Sequence, residues 1–279
     1  MTEAIFVANA VMALLGVAVC VRHAYPDRDR LAFLGAGVVY GVLLEQLVII
    51  RFDRYAYNVH DFLLVVADVP VVIGLGWTAI IYSGYHVGRR FDVDRRVLPL
   101  FVGLFALHID LAIDAVAIRI PFWTWLGGGA WFGVPLGNFL GWFLVASLFT
   151  LSWDRLRPRL GGPLAAGASV PAAVAGLVVC LELWDAVATT MPRRVAILGS
   201  ILLAAAALVA YTGLTFRPVD AELLAVPALY HGFYLAALLG LGIYRERPLL
   251  LVVSLAMIGL SGLLHADTFR TWRGRLVAT

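Results

Sequence analysis

Nine apolar runs, each about long enough to cross a bilayer as a helix, leave this chain little freedom in its fold. They cover residues 3–21, 31–50, 62–87, 97–118, 135–153, 164–187, 195–215, 222–243 and 248–266. Together they take up most of the 279 residues and leave no room for a soluble domain. The expected architecture is all-α: a polytopic transmembrane helical bundle of eight or nine spans, eight if one segment is re-entrant. It forms a single integral membrane domain over residues 1–279. Only 14% of residues are charged and 62% are hydrophobic, far from the roughly one-quarter charged of a soluble chain. Met1-Thr2-Glu3 carries no positive charge and no small-x-small cleavage site follows, so the first run is expected to be a retained anchor rather than a signal peptide.

All 21 basic residues are arginine. A chain without lysine cannot form a retinal Schiff base, a pyridoxal phosphate linkage or a Walker-A phosphate site. The net charge of +3 does not point to nucleic acid, because the arginines stand in short loops between apolar runs. There they set orientation and meet lipid headgroups. Odd-numbered loops and the C-terminal tail hold twice as many arginines as the N-terminus and even-numbered loops. That bias predicts the cytoplasmic membrane, with the N-terminus outside and the C-terminus cytoplasmic. Cys20 and Cys180 both lie inside apolar runs, fit no disulfide or metal spacing, and read as packing residues.

A charge inside the bilayer is costly and marks function by default. The runs contain Glu45, Asp68, His108, Asp110, Asp114, Glu182, Asp185 and His231, with His265 and Asp267 at the end of the ninth. Alternating the spans places all six acids from Glu45 to Asp185 in the half of the bilayer nearer the even-numbered loops. Arg51, Arg54 and Arg119 flank the same side. Asp110 and Asp114 are spaced i, i+4 and share one helix face. Two carboxyls so close in a low dielectric cannot both ionise easily, and a protonated acid beside an ionised one can do acid–base chemistry. The structural alternative is that each acid pairs with an arginine such as Arg119. Asp68 is alternatively a partner for backbone groups freed by a kink at Pro70. Glu182 and Asp185, near a helix end, read as structural, and His108 and His231 as core histidines. No zinc-binding spacing, metal motif or nucleophile elbow occurs. Gly-x-Gly at 35–37 and 74–76 falls within spans and reads as close helix packing.

The segment 119–134, RIPFWTWLGGGAWFGV, combines aromatics with three consecutive glycines. Interfacial anchoring accounts for the aromatics. The glycines suit a backbone that turns back against the bundle, with aromatics facing an apolar ligand. Pro135 then suits the first turn of the next helix.

Asp110-Leu-Ala-Ile-Asp114 and Trp123-Thr-Trp125 lead into Gly133-Val-Pro135-Leu-Gly-Asn138-Phe-Leu-Gly141-Trp142. With Glu45, Tyr55-Ala-Tyr57, Val69-Pro70, Trp77 and Tyr82 upstream, this pattern resembles the carotenoid biosynthesis integral membrane family that includes bisanhydrobacterioruberin hydratase and bacterial carotenoid hydratases. The likeness is carried by residues 40–150. Ala115 stands where the family has proline, and Trp131-Phe132 where it has a tyrosine pair. The resemblance implies addition of water across a terminal isoprenoid double bond of a linear carotenoid, giving a tertiary alcohol. The residues suit that chemistry: Asp114 as proton donor, Asp110 or Glu45 activating water, Asn138 positioning it and Arg119 tuning the acids. Trp125, Trp131, Trp142 and Tyr57 would bind substrate, the tryptophan faces steadying a cation. The expected partners are a lipid-soluble carotenoid and membrane lipids, with no nucleic acid and no metal or other cofactor. Two alternatives share the buried acids: an intramembrane isoprenoid cyclase and a proton-coupled transporter. A prenyltransferase would need a second aspartate-rich motif, and none is evident.

Overall fold

The computed structural model describes residues 2–277, with side chains from Glu3 to Thr271. Met1 and the side chains of Arg273 and Arg275, counted above for orientation, lie outside the described residues. The long helices are α1 (Thr2–Ala24), α2 (Arg28–Phe52), α3 (Val71–Arg90), α4 (Leu98–Ala117), α5 (Leu136–Leu160), α6 (Gly162–Val187), α7 (Met191–Thr212) and α8 (Ala221–Gly240). A short α9 (Ile243–Glu246) precedes α10 (Pro248–Leu264) and α11 (Ala266–Val277). The fold is an all-α polytopic bundle: α1 to α8 are long and apolar enough to cross a membrane. The ninth run appears as α10, with 17 residues.

The third run begins later than the sequence suggests. Residues 62–70 are not helical. They contain a small hairpin of β2 (Val65–Val66) and β3 (Val69–Pro70). Pro70 is the N-cap of α3, so it starts a helix instead of kinking one, as suits a residue with fixed φ and no N–H. Asp68 is therefore outside the span that the hydropathy assigned to it.

Local chemistry explains the other boundaries. Asp27 caps α2, its Oδ1 accepting the N–H groups of Asp29 at 2.9 Å and Arg30 at 3.1 Å. Asp53 ends α2 in the left-handed region at φ 47°. Helices α2 and α3 pack with their backbones in contact. A Cβ added to Gly41 would lie 2.8 Å from the Cα of Gly74, and one added to Gly74 only 2.7 Å from the Val38 carbonyl oxygen. Close packing at Gly37 and Gly74 is thus as the sequence suggests, although Gly35 has no neighbour so near.

Helix α4 lies at the centre. It touches α3, α5, α7, α8 and α10 and is buried along nearly its whole length. Peripheral faces expose Leu203, Tyr211, Leu249 and Leu263, an outward apolar surface that suits lipid rather than water. On one end of the bundle the loop after α2 and the loop after α4 are joined. Strand β1 (Tyr55–Tyr57) pairs antiparallel with β4 (Trp123–Trp125), Tyr55 opposite Trp125 and Tyr57 opposite Trp123. The glycine-rich segment does turn back. Trp131 bridges Val134, and a Cβ on Gly129 would fall within 2.2 Å of the Val134–Pro135 backbone.

Candidate active site

The helices alternate in direction, so the end of α2, the start of α3, the end of α4 and the start of α5 meet under the β1–β4 ribbon. There they enclose a cavity of about 150 Å³, whose wall is completed by α1, α6 and α8. Glu45 and Asp114 both line it and both are buried.

Glu45 is held by three donors. Trp77 Nε1 donates to Oε1 at 2.7 Å, while the hydroxyls of Tyr57, at 2.9 Å, and Tyr55 both donate to Oε2. A carboxylate has about four lone-pair sites, so one position on Oε1 remains open. Tyr55 is buried, and burial first, then the neighbouring Glu45, pushes its phenol well above the usual range. Tyr55 therefore remains a donor.

Asp110 and Asp114 lie one turn apart on the same face of α4, and both are buried. Asp114 faces the cavity, whereas Asp110 is fully buried behind it. Asn138, at the start of α5, donates from Nδ2 to Asp110 Oδ2 at 3.1 Å. It also lines the cavity, so it bridges the hidden acid and the open space.

Aromatic side chains make much of the remaining wall. Trp77 and Trp142 have ring centroids 4.3 Å apart, and Trp125 lies 4.9 Å from Tyr55. Trp123 and Tyr57 also face in. Tyr230 and Tyr234 of α8 and Asn9 of α1 join them, and none of these three was picked out from the sequence. The tyrosines' i, i+4 spacing within an apolar helix was the available signal. The Trp125 Nε1 and Tyr230 hydroxyl have no hydrogen-bond partner among the described residues. Both are buried donors on a cavity wall, where a polar guest could satisfy them.

Several expected participants lie elsewhere. Trp131 packs against Phe132 and Phe139, with Nε1 3.3 Å from the Leu111 carbonyl oxygen, and is not part of the wall. Arg119 tunes neither acid by contact. Its guanidinium donates to the carbonyl oxygens of Ala115 at 2.5 Å and Phe132 at 3.0 Å, so it fastens the loop after α4. The six-acid layer divides into two sets. Glu45, Asp110 and Asp114 converge, while the other three are engaged at the surface: Glu182 with Arg51 at 2.5 Å, Asp185 with Arg54, and Asp68 with Gln46 at 2.8 Å. Arg54 also lines the cavity, placing the Arg54–Asp185 pair at its surface end. His108 and His231 are buried in the core, rings 5.4 Å apart; His108 Nδ1 meets the Phe105 carbonyl oxygen, while His108 Nε2 and both nitrogens of His231 have no partner among the described residues. Cys20 is buried and Cys180 partly buried, and both are free thiols. Among the described residues no group of three His, Cys, Asp or Glu side chains is arranged to hold a metal.

Fold and site together define a polytopic helical protein with a carboxyl-lined, aromatic cavity at one end of its bundle. The chain belongs to the carotenoid biosynthesis protein family, whose sequence signature matches residues 6–210. The match spans Glu45, Asp110, Asp114 and Asn138, while Tyr230 and Tyr234 lie beyond it. No curated protein and no solved structure is significantly similar to the chain.

Proposed function

We propose that this chain is a carotenoid hydratase, adding water to the terminal isoprenoid double bond of a linear carotenoid by acid catalysis. The observation that carries this reading is the pair Glu45 and Asp114 on the wall of one small, largely aromatic cavity. Membership of a carotenoid biosynthesis family supports the substrate class. A cavity of about 150 Å³ is the size that holds a benzene-sized guest, which suits one terminal isoprenoid unit while the polyene lies in lipid.

Asp114 gives its proton to one alkene carbon, and the neighbouring carbon becomes a tertiary cation. The faces of Trp77, Trp142 and Trp125 attract that cation through their ring quadrupoles. Water held at the open position of Glu45 and oriented by Asn138 bonds through oxygen to the cation. Its proton passes to Glu45. Transfer of that proton back to Asp114 restores both groups, so the net reaction is alkene plus water giving alcohol. Asp110 shares the proton of Asp114 and sets when it is released. Glu45 rather than Asp110 activates water in this scheme, because Asp110 does not reach the cavity. With the N-terminus outside, the orientation that the arginine bias supports, this chemistry would lie beneath the outer face of the cytoplasmic membrane. The scheme itself draws on no metal or other cofactor.

The test is pigment analysis of carotenoid-producing cells expressing the wild type or Asp114→Asn, with membrane levels of both verified. The wild type should give product heavier by one water and the variant none. Undiminished hydroxylated product from Asp114→Asn would overturn the assignment, and wild-type product of unchanged mass would favour a cyclase instead.

A further inference from the structure

The opposite end of the bundle holds a second cavity, of about 300 Å³, with room for about ten waters. Its wall is polar: Asp29 at the start of α2, Tyr85 and Arg89 at the end of α3, Arg95 before α4, and Asp154 and Arg157 at the end of α5. Three guanidinium groups face two carboxylates, which leaves one net positive charge.

The internal pairings are incomplete in a particular way. Arg157 grips Asp29 Oδ2 through Nε at 3.0 Å and Nη2 at 2.9 Å. Tyr85 donates its hydroxyl to Asp154 Oδ1 at 2.9 Å, and Arg95 donates Nη2 to the Asp154 backbone oxygen at 2.6 Å. The other carboxylate oxygen, Asp154 Oδ2, receives no hydrogen bond, and Arg95 Nε stands 3.9 Å from it. This side chain is only 7% exposed, so a missing donor there is costly. The Arg89 side chain forms no ion pair or hydrogen bond among the described residues, and the residue is exposed. The site thus offers an anion-binding arginine cluster and, beside it, a buried acceptor in need of a donor.

We propose that this cavity binds a group bearing both a phosphate and a protonated amine, the chemistry of phosphoethanolamine. The phosphate takes Arg89 and Arg95, for which guanidinium geometry is suited, and the ammonium donates to Asp154 Oδ2. The cavity lies at helix ends, the depth at which lipid headgroups meet a membrane protein. The same chemistry can come from a phosphatidylethanolamine headgroup or from a free phosphoethanolamine ester. This inference does not depend on the reaction at the other end of the bundle.

The experiment is native mass spectrometry of the purified full chain with phosphatidylethanolamine, phosphatidylcholine or phosphatidylglycerol. Phosphatidylcholine is the informative control, since its quaternary ammonium has no N–H to donate. Phosphatidylethanolamine should be retained about tenfold more than phosphatidylcholine, the worth of one charge-assisted hydrogen bond. Asp154→Asn should erase that preference and leave phosphatidylglycerol retention unchanged. Arg89→Gln, at an exposed position, should weaken phosphatidylethanolamine and phosphatidylglycerol alike and keeps the test decisive if Asp154→Asn does not fold. Displacement of the lipid by free phosphoethanolamine identifies the soluble ester as a sufficient ligand, and failure to displace identifies the lipid. Equal retention of phosphatidylethanolamine and phosphatidylcholine, or displacement by inorganic phosphate as readily as by phosphoethanolamine, would overturn the proposal.

Discussion

Asn138 Nδ2 reaches Asp110 Oδ2 at 3.1 Å across the α4–α5 contact, tying an acid that never meets the cavity to a residue that lines it. Removing the amide leaves a buried carboxyl oxygen without its donor. Asn138→Ala is expected to lower stability by about 1–3 kcal/mol and to cut hydroxylated product. Thermal unfolding in detergent together with pigment analysis checks both effects. Wild-type stability and product would show that the amide holds nothing in place.

Glu45→Gln replaces an acceptor with a group that also carries donors, and three donors already point at it. Product formation should fall by about 100-fold, the low end of general-base contributions. Tyr57→Phe, which removes one donor of three, should cost far less. Comparing initial rates in membranes at matched protein levels ranks the two, and a reversed order would remove Glu45 from its role.

Trp142→Leu keeps an apolar side chain, though a smaller one, and loses the ring face that packs on Trp77. Product should fall about tenfold, as expected from roughly 1–2 kcal/mol of cation–π stabilisation, and Trp142→Phe should recover most of it. Equal activity in the Leu and Phe variants would mean that the site uses Trp142 only to fill space.

The raised phenol of Tyr55 makes an alkaline prediction. Its folded pKa lies well above the ordinary value of 10.0. Its stabilising effect is complete below pH 10 and is lost as pH rises from there toward the folded value. Above pH 10 the wild type should lose stability with rising pH more steeply than Tyr55→Phe, as followed by unfolding temperature across pH 8–12 (a range chosen around the ordinary phenol value). Parallel curves would show that Tyr55 does not contribute.

Gly41→Leu would drive a side chain into the α2–α3 contact, where even a Cβ would sit 2.8 Å from Gly74 Cα. The expected cost is about 1–3 kcal/mol or more, seen as reduced folded yield and a lower unfolding temperature. Gly35→Leu, with open space around it, is the matched control.

Hydropathy and alternation of direction made most of this molecule legible before any coordinates. Glu45, Asp110 and Asp114 could be placed at one depth because span parity alone decides that. Depth alone did not separate them from Glu182 and Asp185; the position of those two near a helix end did, and both pair with arginines. Asp185 points outward to Arg54. Hydropathy also ran the third span through residues 62–70, where apolar Leu63, Leu64, Val65 and Val66 mimic a helix. The chain there forms a hairpin, and the helix waits for Pro70. Arg119 looked like a counter-ion because it follows Asp114 closely, but it lies past the end of α4, where free carbonyl oxygens attract a guanidinium more readily than a distant acid. Tyr230 and Tyr234 were hidden because their contribution depends on how α8 is rotated, a tertiary property.

The β1–β4 ribbon has a consequence for how the protein comes to be made. Its two strands flank the α3–α4 hairpin, so Tyr55 cannot find Trp125 until both of those helices have been synthesised and inserted. The acid cavity therefore stays uncapped while the first half of the bundle assembles. A chain stalled before β4 would leave Glu45 without the neighbouring strand that backs its two tyrosine donors, a half-built pocket that quality-control proteases could recognise by its open polar end.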